Sequence, residues 1–133
     1  MAAIIPPAKL QHIDKLLAHC SRRRYTAKTT IIYAGDNSES LFFILKGSVT
    51  ILIEDDEGRE MIIAYLNAGD FFGEMGLFSK EGSEPERSAW VRARTECEVA
   101  EISYSQFREL SQQDPDMLFS LGRQMAERLR QTT

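Results

Sequence analysis

The stretch Leu41-Phe42-Phe43-Ile44-Leu45-Lys46-Gly47-Ser48-Val49-Thr50-Ile51-Leu52-Ile53-Glu54-Asp55-Asp56-Glu57-Gly58 decides the fold class. Two short runs rich in aromatic and β-branched residues are split by Gly47 and closed by an acidic turn. Runs of this length and make-up, punctuated by glycine, read as strands. In the second run Val49, Ile51 and Ile53 fall on one face and Thr50, Leu52 and Glu54 on the other, the alternation a strand requires. Asp55–Gly58 leads into another apolar run, Met61–Leu66, which predicts a hairpin.

The same grammar extends outward. Seven of the eight glycines lie between Gly35 and Gly82, and Gly35, Gly47, Gly58 and Gly69 follow one another at intervals of 12, 11 and 11 residues. Turn signals so spaced indicate consecutive short strands of a sandwich or barrel. Further strands are expected near Tyr25 and at Thr30–Tyr33, Asp70–Phe72, Ser88–Arg94 and Cys97–Ile102. A count near eight suits a double-stranded β-helix, or jelly roll, over about residues 25–103.

Helices flank this region. Leu10, Ile13, Leu16, Leu17 and Cys20 keep three- and four-residue spacing, predicting an amphipathic helix over about 8–20. Arg22-Arg23-Arg24 would then complement the negative end of that helix. Ser103-x-x-Gln106 is a capping box opening a helix over about 104–112, with Phe107 and Leu110 facing the body. Asp114-Pro115 starts another, because proline at the first helical position forfeits no hydrogen bond. From 115 to 133 Leu118, Leu121 or Gly122, Met125 and Leu129 recur at a spacing near 3.5, along a helix of about 28 Å. Arg123, Gln124, Glu127, Arg128 and Arg130 occupy the other faces, so the stripe reads as a homodimer seam rather than only a face packed on its own domain.

The whole chain, 133 residues, fits a single domain. Apolar residues at 43% and charged residues at 27% exclude disordered, collagenous and membrane-spanning classes. The net charge of −4 has the wrong sign for a broad nucleic-acid face. The amino terminus lacks a charged start followed by an apolar stretch, so a cytoplasmic location and no membrane partner are expected. Cys20 and Cys97 lack a Cys-x-x-Cys partner and read as reduced thiols.

Chemistry concentrates in Asp70-Phe71-Phe72-Gly73-Glu74-Met75-Gly76-Leu77-Phe78 and, after a polar loop, Arg87-Ser88-Ala89-Trp90. Gly73 and Gly76 permit close backbone approach, and a short helical turn there would aim amides at an anion. Arg87 could neutralise a phosphate through a forked pair of hydrogen bonds, with Ser88 adding a hydroxyl. Glu74 would repel phosphate unless it met another part of the ligand, and a sugar hydroxyl is its natural partner. The set suggests a phosphorylated ribose. Individually each residue has a plainer explanation, as turn glycines, a solvated arginine or a carboxylate at a helix start; in order on a β scaffold they are more specific.

Phe72-Gly73-Glu74-Met75-Gly76-Leu77-Phe78 with Arg87-Ser88-Ala89 resembles the phosphate-binding cassette of cyclic-nucleotide-binding domains. Leu45–Val49, Tyr65–Phe71 and Cys97–Tyr104 extend the likeness to the bacterial cyclic-AMP receptor protein family, over about Leu10 to Thr133. The resemblance implies a cyclic AMP sensor of a homodimeric transcription regulator and no enzyme activity. DNA and RNA polymerase would be partners only of a full-length regulator, since no helix-turn-helix is expected within these 133 residues. It places Gly73, Glu74 and Met75 at the ligand, with Glu74 on the ribose 2′-hydroxyl. Arg87, Ser88 and Ala89 would take the phosphate, Ile63 and Ala64 the pocket wall, and Thr132 and Thr133 the adenine. It also implies a dimer interface of Leu118, Leu121, Gly122, Met125 and Leu129. The loop Ser79–Glu86 is longer than in the best-known members. Relatives that answer to cyclic di-GMP tend to lose the Arg-Ser pair, so Arg87-Ser88 favours cyclic AMP. A metal-binding jelly-roll enzyme is the rival, and His12 and His19, both outside the β region, do not supply its ligand cluster. A β-roll interaction module with a vestigial or different-nucleotide pocket is the other alternative.

Overall fold

The computed structural model describes residues 13–36, 39–78 and 89–132. Among them a short helix α1 (Ile13–Leu17) precedes eight strands: β1 (Ser21–Tyr25), β2 (Thr30–Ile32), β3 (Ser40–Lys46), β4 (Ser48–Glu54), β5 (Glu60–Asn67), β6 (Phe71–Phe72), β7 (Trp90–Ala93) and β8 (Cys97–Ser103). A 3-10 turn, Met75–Phe78, sits between β6 and β7, and the chain closes with α2 (Tyr104–Gln113) and α3 (Pro115–Thr132). The strands form two antiparallel four-stranded sheets, ordered β1-β8-β3-β6 and β2-β7-β4-β5. This is the jelly roll expected from the glycine spacing.

The uninterrupted apolar run of β3 has a direct cause, because both of its faces are covered. Leu41 and Phe43 point into a core shared with Phe107, Met117 and Leu121 of the C-terminal helices. Phe42 and Ile44 point into a second core, between the sheets, with Val49, Val91 and Val99. Burying each such side chain stabilises by about 1.5–3 kcal/mol. The alternation expected in β4 is only partly realised. Val49 is buried as expected, but Leu52 and Thr50 on the opposite face are buried too. The β4–β5 register slips between Ile51, opposite Ala64, and Leu52, opposite Ile62. Ile63 is thereby the extra residue of a bulge, a device that re-aims side chains.

Arg22–Arg24 do not follow a helix end. They belong to β1, opposite Ala100, Val99 and Glu98 of β8, and Arg23 lies 3.6 Å from Glu101. Pairing with β8 satisfies this backbone, which the helix-end reading could not anticipate. The first helix stops at Leu17 rather than near Cys20, and the His19 and Cys20 amides donate to the Leu16 and Leu17 carbonyls in a tightened last turn; its expected start near residue 8 lies outside the described residues. Cys97 is buried and its thiol donates to the Ser48 carbonyl at 3.0 Å, while burial pushes the half-buried Cys20 thiol up to about 11.

The β3–β4 connection depends on Gly47, which has φ +88°. A Cβ there would meet the Glu96 carbonyl oxygen at 2.2 Å. Gly47→Ala is therefore expected to lower the unfolding free energy by at least about 1–3 kcal/mol, the cost of a strained backbone position before the clash is relieved. Urea denaturation checks this, and a loss under about 0.5 kcal/mol would contradict it.

The C-terminal helices start where the sequence says. Ser103 caps α2, accepting from the Gln106 amide at 3.2 Å, and α3 begins at Pro115. The single seam, however, is divided between two sides of α3. Met117, Ser120, Leu121 and Gln124 are buried against the chain's own body, with Met125 packed beside them, whereas Leu118, Phe119 and Leu129 are exposed. A Cβ on Gly122 would meet nothing within 4 Å. No helix among the described residues is long and apolar enough to cross a membrane.

Candidate ligand cavity

The segment after β5 is bent into place by β3. The Ile44 amide donates to the Asp70 carbonyl, and the Gly69 amide donates back to the Ile44 carbonyl, both at 2.9 Å. This holds β6 at the edge of the first sheet, where Phe72 stacks on Phe42 with ring centroids 4.8 Å apart. Gly73 follows with φ +82°, turning the chain out of the strand. The Leu77 amide donates to the Glu74 carbonyl at 3.0 Å, closing the 3-10 turn, and the buried Leu77 side chain anchors it. The short helical turn expected here is present, with Met75 68% exposed on it.

This segment forms one wall of a cavity of about 380 Å³, within the range of small-molecule sites. Its floor is apolar, from Ile32, Ile51, Leu66 and Val91. Of the residues singled out from sequence, Ile63, Ala64, Gly73, Glu74, Met75 and Ala89 all line it. They come from the β5 bulge, the segment after β6 and the approach to β7. Arg87, Ser88 and Thr133 lie outside the described residues, as does the Thr132 side chain at the end of α3.

Two polar residues of the cavity escaped the sequence reading, as did its apolar floor. Tyr104, the first residue of α2, is 1% exposed, lines the cavity, and donates its hydroxyl to the Gly73 carbonyl. Arg128, expected on the polar outer side of α3, instead reaches inward to the same wall. Its guanidinium lies 3.0 Å from Asp70 and 3.9 Å from Glu74, and also donates to the Phe71 carbonyl. It further sits 3.8 Å over the Phe71 ring. The Asp70 side chain is 4% exposed, and its other oxygen accepts from the Asn67 amide at 3.3 Å. A buried carboxylate needs a cation, and Asp70 was the available signal for Arg128. Gln124, one turn earlier, faces inward as well, which corrects its assignment to the outer side.

The charges on this wall are unbalanced. Among the described lining residues, Arg128 is the cation, and it is shared between Asp70 and Glu74. The apolar floor and a carboxylate rim suit a ligand with an aromatic or sugar face and hydroxyl donors. An anionic group on it would call for further positive charge.

Comparison with known proteins follows the same lines. The cyclic nucleotide-binding domain family model matches residues 22–114. The chain is 77% identical over 133 residues to the cAMP-activated global transcriptional regulator Vfr of Pseudomonas aeruginosa, covering 100% of this chain and 62% of that protein. It is 55% identical over 121 residues to the cAMP-activated global transcriptional regulator CRP of Salmonella typhimurium, covering 91% of this chain and 56% of that one. Among solved structures, the c-di-GMP responsive global regulator CLP of Xanthomonas campestris matches with a TM-score of 0.79 at 40% identity, over 90% of this chain and 58% of that chain. The chain thus spans 62% and 56% of the length of these two curated relatives.

Proposed function

Because the chain belongs to the cyclic nucleotide-binding domain family, we propose that its cavity receives cyclic AMP and that it is the sensor domain of a transcription regulator, a binding rather than a catalytic role. The observation that carries this reading is the convergence of Ile63, Ala64, Gly73, Glu74, Met75 and Ala89, chosen from sequence, on one cavity. Glu74 accepts a hydrogen bond from the ribose 2′-hydroxyl. Arg87 supplies the positive charge that the Arg128 wall lacks and, with Ser88, holds the cyclic phosphate. Thr132 and Thr133 meet the adenine. The curated relatives named above are cAMP-activated, and the Arg-Ser pair favours cyclic AMP over cyclic di-GMP.

The exposed side of α3, with Leu118, Phe119 and Leu129 beside the open flank of Gly122, pairs with the same helix of a second copy. Ligand then acts by differential affinity: the arrangement in which both helices meet the cavity binds it more tightly, and the population shifts only by that difference. Contacts with DNA and RNA polymerase belong to the full-length regulator, inside a bacterial cytoplasm.

Thermal unfolding with and without nucleotide tests the reading. A ligand at 100 times its dissociation constant stabilises the folded state by about 2.7 kcal/mol. Cyclic AMP is expected to raise the melting temperature by several degrees and cyclic di-GMP to leave it unchanged; the reverse order would overturn the assignment. Glu74→Gln is expected to weaken binding by about 1.5–3 kcal/mol, the worth of a hydrogen bond to a charged group.

A further inference from the structure

Three carbonyls in the segment from β6 through the 3-10 turn, which carries one wall of the cavity, each accept from a side chain of the C-terminal helices. Arg128 donates to Phe71, Tyr104 to Gly73, and Arg108 to Leu77 at 3.3 Å. Carbonyl oxygens carry partial negative charge, so a wall that is to meet an anionic ligand works best with its carbonyls turned away. Irregular backbone around a glycine has many accessible conformations, and fixing one of them costs conformational entropy. The three helical donors select one conformation and aim the carbonyls at the helices.

Tyr104 is the central member. Its ring is packed in the core with Phe43, Phe71 and Phe107, where phenylalanine would fill the same space. The hydroxyl is what distinguishes it, and that hydroxyl ends on Gly73, the residue with left-handed backbone at the cavity mouth. A buried phenol oxygen normally has a partner, and this partner lies 31 positions earlier in the sequence, on another element. Arg108, by contrast, is exposed and holds the far end of the turn.

We propose that Tyr104 is a positioning residue for the ligand site: its hydroxyl sets the Gly73 peptide and joins occupancy of the cavity to the first turn of α2. The proposal rests on the nucleotide reading above and deepens it, since it names α2 as well as α3 as an element that senses the ligand. With Gly73 ordered by bound nucleotide, the Tyr104 hydrogen bond is reinforced and α2 opens less often. Without the hydroxyl, Arg128 and Arg108 still hold the Phe71 and Leu77 carbonyls, and the Gly73 peptide between them must be ordered by the ligand.

The test combines calorimetric titration of cyclic AMP with amide hydrogen exchange on the native chain and on Tyr104→Phe. The variant is expected to bind about tenfold more weakly, equivalent to 1.4 kcal/mol. In the native chain, cyclic AMP is expected to slow exchange of the α2 amides as well as those around Gly73. In Tyr104→Phe the slowing at Gly73 is retained and that at α2 is lost. A purely structural role would lower the melting temperature without separating these two signals. Arg108→Leu, at an exposed site, supports the test should the buried variant fold poorly, with binding weakened by about threefold. A native chain that binds, alongside variants that bind equally well with α2 still protected, overturns the role of Tyr104 alone. A native chain that gives no binding overturns the nucleotide reading and this proposal together.

Discussion

Arg128→Ala is expected to lower the unfolding free energy by about 3–5 kcal/mol, the range for removing one partner of a buried ion pair. The loss arises mainly at Asp70, whose carboxylate is 4% exposed and pairs with Arg128 at 3.0 Å. Alanine leaves that charge buried, with the Asn67 amide still donating to it at 3.3 Å. The guanidinium also covers the Phe71 ring at 3.8 Å, and stacked cation contacts contribute about 0.5–2 kcal/mol. Because Arg128 remains 24% exposed, solvent reaches part of the cavity left behind and the lower half of the range is favoured. Paired replacement separates charge from packing. Asp70→Asn with Arg128→Met removes both charges, and such exchanges are often near neutral. The double variant is therefore expected to recover most of the stability lost in Arg128→Ala. Urea denaturation of the three proteins decides the matter: a loss below about 1 kcal/mol in Arg128→Ala would show that the ion pair carries little of the fold.

The features legible in the sequence are those set by local chemistry. Glycine intervals located the strand connections because φ values such as +88° at Gly47 and +81° at Gly58 are sterically costly for other residues. Ser103 and Asp114-Pro115 located the helix starts because capping is decided within one turn. Six of the cavity-lining residues were named from sequence because they lie in three short segments, Ile63-Ala64, Gly73-Glu74-Met75 and Ala89, whose order carries the pattern. The misreadings share a different cause, a partner distant in sequence. Arg22–Arg24 were assigned to a helix end because their strand partner, β8, lies some 75 positions away. The assignment of Arg128 and Gln124 to the outside of α3 treated polarity as exposure, whereas Arg128 turns inward toward the buried Asp70. The 3.5-residue stripe crosses from the inward Leu121 to the outward Leu118 and Leu129, since α3 has apolar residues on two sides and periodicity alone does not assign each side its partner. Tyr104 was invisible for the same reason: its sequence neighbours gave no indication that its hydroxyl meets Gly73.

Charge on the cavity wall makes Arg87 the residue on which affinity should depend most. Arg128 lies within reach of two carboxylates, 3.0 Å from Asp70 and 3.9 Å from Glu74, so it has no net positive charge to offer a cyclic phosphate. An anion entering beside Glu74 would face repulsion at short range in a poorly solvated, apolar surround, where Coulomb terms are larger than in water. In the proposed reading a second guanidinium, that of Arg87, offsets this. Arg87→Ala is expected to cost on the order of 2–5 kcal/mol of binding, the range for deleting one member of a buried charged pair. That corresponds to roughly 30-fold to several-thousandfold weaker affinity. Arg87→Lys keeps the charge but not the fork that matches two phosphate oxygens, so it should fall between the native chain and alanine. The comparison with Glu74→Gln fixes the sign of the electrostatics: removing the carboxylate charge weakens the sugar contact but relieves repulsion of the phosphate, so its loss should be the smaller of the two. Calorimetric titration of cyclic AMP into the three variants measures the order directly. Affinity of Arg87→Ala within about threefold of the native chain would mean that the phosphate is neutralised elsewhere. The unbalanced wall formed by Asp70, Glu74 and Arg128 would then require another cation.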